Sequence, residues 1–77
     1  MGSATGTVNA VQEGRFQLVT DDGRVLQFML SHRASLEPQD LPPLQHRRAR
    51  VRVEYRDSRH MIAGVVRRLV VEEERDR

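Results

Sequence analysis

Arg15-Phe16-Gln17-Leu18-Val19-Thr20, then Asp21-Asp22-Gly23, then Arg24-Val25-Leu26-Gln27-Phe28 reads as two strands folded back on each other. Asp-Asp-Gly suits a three-residue hairpin loop, with Gly23 taking the positive φ that other residues resist. Pairing outward from that loop sets Thr20 opposite Arg24, Val19 opposite Val25, Leu18 opposite Leu26, Gln17 opposite Gln27 and Phe16 opposite Phe28. Large apolar residues meet on one face and the two glutamines meet on the other. A slip of one residue would lose both matches, because side chains alternate faces along a strand.

Working outward, Thr5-Gly6-Thr7-Val8-Asn9-Ala10-Val11 is rich in β-branched residues and reads as a preceding strand, with Gly6 marking a bulge or bend. Gln12-Glu13-Gly14 turns the chain into the hairpin. On the other side, Ala49-Arg50-Val51-Arg52-Val53-Glu54-Tyr55-Arg56 alternates strictly, which predicts a half-buried antiparallel strand with Val51, Val53 and Tyr55 inward. Asp57-Ser58-Arg59-His60 reads as a tight turn into a last strand, Met61 to Val71. A two-residue loop at Ser58-Arg59 would set Tyr55 opposite Ile62, Val53 opposite Gly64 and Val51 opposite Val66. That phase would carry Arg68 inward, so a bulge near Arg67-Arg68 is expected, returning Leu69 and Val71 to the core.

Between the third and fourth strands the alternation breaks. Ser35-Leu36-Glu37-Pro38-Gln39-Asp40-Leu41 predicts a short helix or 3-10 turn with Ser35 as N-cap, stopped by Pro42-Pro43. Leu36, Leu41 and Leu44 are placed to plug one end of a barrel.

The expectation is an all-β fold: a small five-stranded antiparallel Greek-key barrel with a short helical turn between strands three and four. The last strand is long and bent enough to close on the first. This order resembles the OB-fold. Thr5-Gly6-Thr7-Val8, the Asp-Asp-Gly hairpin, the Leu41…Leu44 plug and Arg50-Val51-Arg52-Val53-Glu54-Tyr55 carry the resemblance. An SH3-like barrel is the alternative. Residues 5–71 form the single domain, residues 1–4 read as a tag remnant outside it, and residues 72–77 read as a frayed charged tail.

All thirteen basic residues are arginine, against eleven acids, for a net charge of +2. Codon usage in a GC-rich genome explains that bias more readily than recognition of phosphate by guanidinium forks does. The distribution is more telling. Arg47, Arg48, Arg50, Arg52, Arg56, Arg59, Arg67 and Arg68 occupy one stretch opposed only by Glu54 and Asp57. Cysteine is absent, which excludes disulfides and thiolate metal sites and fits the cytoplasm, or the periplasm if a leader has been removed. No apolar run is long enough for a membrane helix.

These features predict a non-enzymatic binding module for a protein or single-stranded nucleic acid, with Arg50, Arg52, Arg56, Arg59 and Arg67 as the anion-binding face. The opening Gly-Thr-Val strand is also similar to that of cold-shock proteins, although their aromatic clusters do not follow here. Apolar residues on the face opposite the core (Val19, Val25, Met29, Met61, Ala63 and Val65) support a second expectation, a structural or assembly role through self-association or a protein partner. The barrel is similar as well to small periplasmic copper-handling proteins. That resemblance implies a third role, a Cu(I) carrier using Met29, His32, His60 and Met61, without the paired-methionine spacing or tryptophan of that family. Asp57-Ser58-Arg59-His60 contains nucleophile, base and carboxylate, but a tight turn cannot arrange them around a substrate. Asp21-Asp22 is accounted for by its turn. No catalytic residue and no cofactor are expected.

Overall fold

The computed structural model describes residues 2–57 and 63–72. Five strands close into a barrel in the order β1-β2-β3-β5-β4. They are β1 (Gly2–Gln12), β2 (Arg15–Thr20), β3 (Val25–Leu30), β4 (Arg50–Asp57) and β5 (Gly64–Val71). A 3-10 turn over Pro38–Asp40 and a short helix, α1 (Leu41–His46), connect β3 to β4. The fold is the all-β small barrel expected, and at the level of topology it is consistent with an OB-like barrel.

The β2–β3 hairpin has the predicted register, from Val19↔Val25 through Leu18↔Leu26 and Gln17↔Gln27 to Phe16↔Phe28. Its loop is held by the Gly23 N–H donating to the Thr20 carbonyl at 3.0 Å, and Gly23 takes φ 91. The buried Thr20 hydroxyl accepts the Arg24 N–H at 2.9 Å and donates to the Asp22 carboxylate.

The barrel closes differently from the expectation. β5 does not meet β1. It lies between β3 and β4, and β4 makes the closing ladder with β1. β1 is long enough to serve two neighbours. Its first half pairs with β4, its second half with β2, and Gly6 stands at the crossover, opposite both Thr20 and Val51. A Cβ on Gly6 would lie 2.1 Å from the Val19 carbonyl oxygen, so only glycine permits this approach. Gly2, Ser3 and Ala4, which the sequence places outside the domain, form the first rungs of the β1–β4 ladder opposite Tyr55, Glu54 and Val53.

One of the five ladders is parallel: Phe28↔Gly64, Met29↔Val65 and Leu30↔Val66 join β3 to β5. This seam also corrects the predicted β4–β5 register. Tyr55 faces Val66, Val53 faces Leu69 and Val51 faces Val71, and the ladder ends at Asp57↔Gly64. The reason is packing. Val66 is fully buried, and a Cβ on Gly64 would come within 2.9 and 3.0 Å of the Tyr55 and Phe28 rings. The register that seats Gly64 under those rings is the one that lets them meet. The bulge does fall where expected: the shift between Glu54 and Tyr55 leaves Arg67 without an opposing residue. It brings Leu69 against the core, while Val71 remains exposed.

The core unites Val8, Phe16, Leu18, Phe28, Val51, Val53 and Val66 with Leu41 and Leu44 of α1. Phe16 and Phe28 lie 5.8 Å apart between ring centroids, and Phe28 and Tyr55 lie 4.8 Å apart. Leu36 packs against the same cluster, so the three-leucine plug forms as predicted. The connector itself is built otherwise. Glu37, not Ser35, caps the 3-10 turn, its N–H donating to Asp40 Oδ2 at 2.9 Å. Pro42-Pro43 does not stop the helix; both prolines sit in the first turn of α1. N–H groups there have no intrahelical acceptor, so proline loses nothing. Ser35 instead meets β5, its hydroxyl accepting the Leu69 N–H at 3.2 Å.

Candidate functional site

The arginines expected to form one face are divided by the fold. Arg50 and Arg52 project from the outer face of β4, where charged residues alternate with buried valines. Arg50 meets Asp21 of the hairpin loop at 2.5 Å. It also lies 3.6 Å from Glu72, and Arg52 lies 3.6 Å from the same carboxylate. Asp21 comes from a loop 29 residues away in sequence. The Arg50 guanidinium, hydrogen-bonded to Asp21, holds that carboxyl below its ordinary range. Asp22 is lowered too, first by the Thr20 hydroxyl and then by Arg24. This end of β4 therefore presents paired charge, and its attraction for an added anion is correspondingly weak.

Arg56 and Arg67 have a different setting. They line a cleft of about 260 Å³ together with Ser31, His32 and Arg33. Three segments converge there for separate reasons. Arg56 lies near the end of β4, paired across the ladder with Val65. Arg67 is the bulged residue of β5. Ser31 to Arg33 follow β3 directly and are pinned beside β5 by the Ser31 N–H, which donates to the Val66 carbonyl at 2.9 Å. The turn is tightened by the Arg33 N–H donating to Ser31 Oγ at 3.1 Å. Among the described residues, no acidic side chain lines the cleft. Among the described residues, no ion pair forms at Arg33, Arg56 or Arg67. Three arginines thus line one small opening, and like charges held together without counter-charges favour an anion.

Arg56 and Arg67 belong to the anion-binding set expected from the sequence; Ser31 and Arg33, outside that set, line the same cleft. Sequence reasoning placed His32 in a metal set; in the fold His32 lines the same cleft as Arg33, Arg56 and Arg67. Met29 lies on the outer face of β3 opposite Arg15 and Val65. Among the described residues, no group of three or more histidine, cysteine or acidic side chains is placed to hold a metal. Arg59, His60 and Met61 lie outside the described residues, as does the tail beyond Glu72.

The outer faces of β2 and β3 adjoin this cleft through one cross-strand row: Arg15 faces Met29, Met29 faces Val65, and Val65 faces Arg56. The next outward rung is the glutamine pair Gln17–Gln27, followed by Val19–Val25. The glutamines separate Val19 and Val25 from Met29 and Val65, so the outward apolar residues do not form one continuous row. Ala63 is half-buried. A second, larger cleft of about 660 Å³ lies between α1 and the β1–β2 ladder, lined among others by Thr7, Asn9, Gln45, His46 and Arg48.

The phenylalanine and tyrosine rings are packed into the core rather than offered to a base. Phe16 and Phe28 are buried, and Tyr55, the remaining aromatic, packs its ring on Phe28. Comparison with known protein families, curated proteins and solved structures found no match to this chain.

Proposed function

We propose that this chain is a non-enzymatic OB-type module that binds single-stranded nucleic acid chiefly through its phosphates. The cleft of Arg33, Arg56 and Arg67, lined by no acid among the described residues, carries the proposal. OB-folds bind oligonucleotides across the faces of their second and third strands. Here that face offers the Gln17 and Gln27 amides, which can both donate and accept hydrogen bonds, in a row next to the one that ends on Arg56. With the phenylalanine and tyrosine rings engaged in the core, much of the roughly 1–3 kcal/mol per base that stacking contributes elsewhere is missing. Binding then rests on charge and is strongly salt-dependent.

The test is fluorescence anisotropy with a labelled single-stranded oligonucleotide over a range of salt. About three phosphate contacts predict a slope of log K against log salt near −2. A slope near zero, or affinity untouched by Arg56→Glu, overturns the proposal.

A further inference from the structure

We infer that the cleft of Ser31, His32, Arg33, Arg56 and Arg67 is a phosphomonoester site, built for a dianionic phosphate rather than for the singly charged phosphodiester within a strand. The inference rests on the anion-binding role proposed above and narrows its ligand.

Size comes first. At about 260 Å³ the cleft is small, below the roughly 300–1,000 Å³ of pockets that enclose a whole small-molecule ligand. It suits a phosphate group with little attached. Charge comes second. Three arginines line the cleft, and among the described residues no acid lines it to offset their charge. A diester brings one negative charge; a monoester brings about −1.5 to −2 at neutral pH. The monoester therefore leaves less positive charge uncompensated. Its three terminal oxygens also give each arginine an acceptor, whereas a diester has two. Hydrogen bonding comes third. Ser31 Oγ already accepts the Arg33 N–H, which leaves its own hydrogen to donate toward the cleft. The site thus offers donors from every lining side chain: the serine hydroxyl, the guanidinium groups and an imidazole N–H of His32.

Two sources supply this chemistry, the phosphorylated end of a strand and a free small phosphate. The test uses one short oligonucleotide in three forms, with a 5′-phosphate, with a 3′-phosphate and with hydroxyls at both ends, and inorganic phosphate alone. One phosphorylated form is expected to bind about tenfold more tightly than the hydroxyl form, the effect of one added charge-assisted hydrogen bond. Arg67→Gln and, independently, Arg33→Gln in the connecting turn should each abolish that difference. Dispersed amide NMR spectra would verify that both variants fold. Inorganic phosphate should shift the Ser31, His32 and Arg33 amide signals. If it displaces the phosphorylated strand at equal concentration, the site is a phosphomonoester site whose ligand is a free phosphate. Equal affinity for all three forms, with those amide signals unmoved by phosphate, overturns the inference. In that case salt-dependent binding that Arg56→Glu weakens would still uphold the broader module. Failure to bind any form at low salt overturns both.

Discussion

Asp21 in the β2–β3 loop holds Arg50 of β4 in an ion pair of 2.5 Å, and that contact separates the neutralised arginines from the available ones. Because Asp21 is lowered in the folded state by its bond to Arg50, the pair contributes stability above the unfolded carboxyl value of 3.8. The contribution is lost as pH falls through the lower folded value. Both partners are substantially exposed, so the effect is modest. Urea unfolding of the parent and Asp21→Asn, followed from neutral pH down to about pH 2, should show a shallower acid decline in the variant. Superimposable pH profiles would contradict the linkage.

Charge reversal should sort the arginines by their surroundings. Arg56→Glu is expected to weaken oligonucleotide binding at low salt by about tenfold or more and to flatten the salt slope by about one unit. Arg50→Glu should change binding much less, because Arg50 already faces Asp21 and Glu72. The measurement is anisotropy on both variants in parallel. Equal losses would mean that the whole row on β4 acts as one surface.

Gly6 is the steric pivot of closure. Gly6→Ala drives a methyl group into the Val19 carbonyl, and overpacking against backbone costs about 1–3 kcal/mol or more. A domain this small has roughly 3–5 kcal/mol in hand. Thermal unfolding by circular dichroism should therefore show a large drop in Tm or no folded baseline. A Tm within a few degrees of the parent would refute the close approach of β1 to β2.

The outward apolar residues are split by the Gln17–Gln27 rung, and Val25, 54% exposed, stands at the hairpin end. Scattered surface apolar groups do not drive association. Sedimentation across a range of concentration should report a monomer. A dimer abolished by Val25→Asp would restore the assembly role as the leading one.

The hairpin register, the inward residues of β4 and the leucine plug were legible because each depends on neighbours in the chain. Alternation along a strand reports which side is buried, and Asp21-Asp22-Gly23 reports where the chain reverses. The bulge at Arg67 was legible for the same reason, since without it Arg68 would face the core. Ser31 and Arg33 were not. They carry no motif, and they matter only because β3 runs parallel to β5 and brings the turn after Leu30 next to Arg67. Pro42-Pro43 misled because proline stops a helix from its interior but opens one from its first turn, and the sequence does not mark the starting residue.

What the chain determines by itself is a set of amphipathic strands and one hairpin in a single register, since burying apolar side chains on one face leaves no other good pairing. Tertiary structure alone decided that β4 rather than β5 closes on β1, that Asp21 crosses to Arg50, and that Arg33, Arg56 and Arg67 share one cleft. The physical reason is range. Side-chain alternation is imposed residue by residue along the backbone, whereas the balance of charge at any point depends on which distant segments the closed barrel brings there.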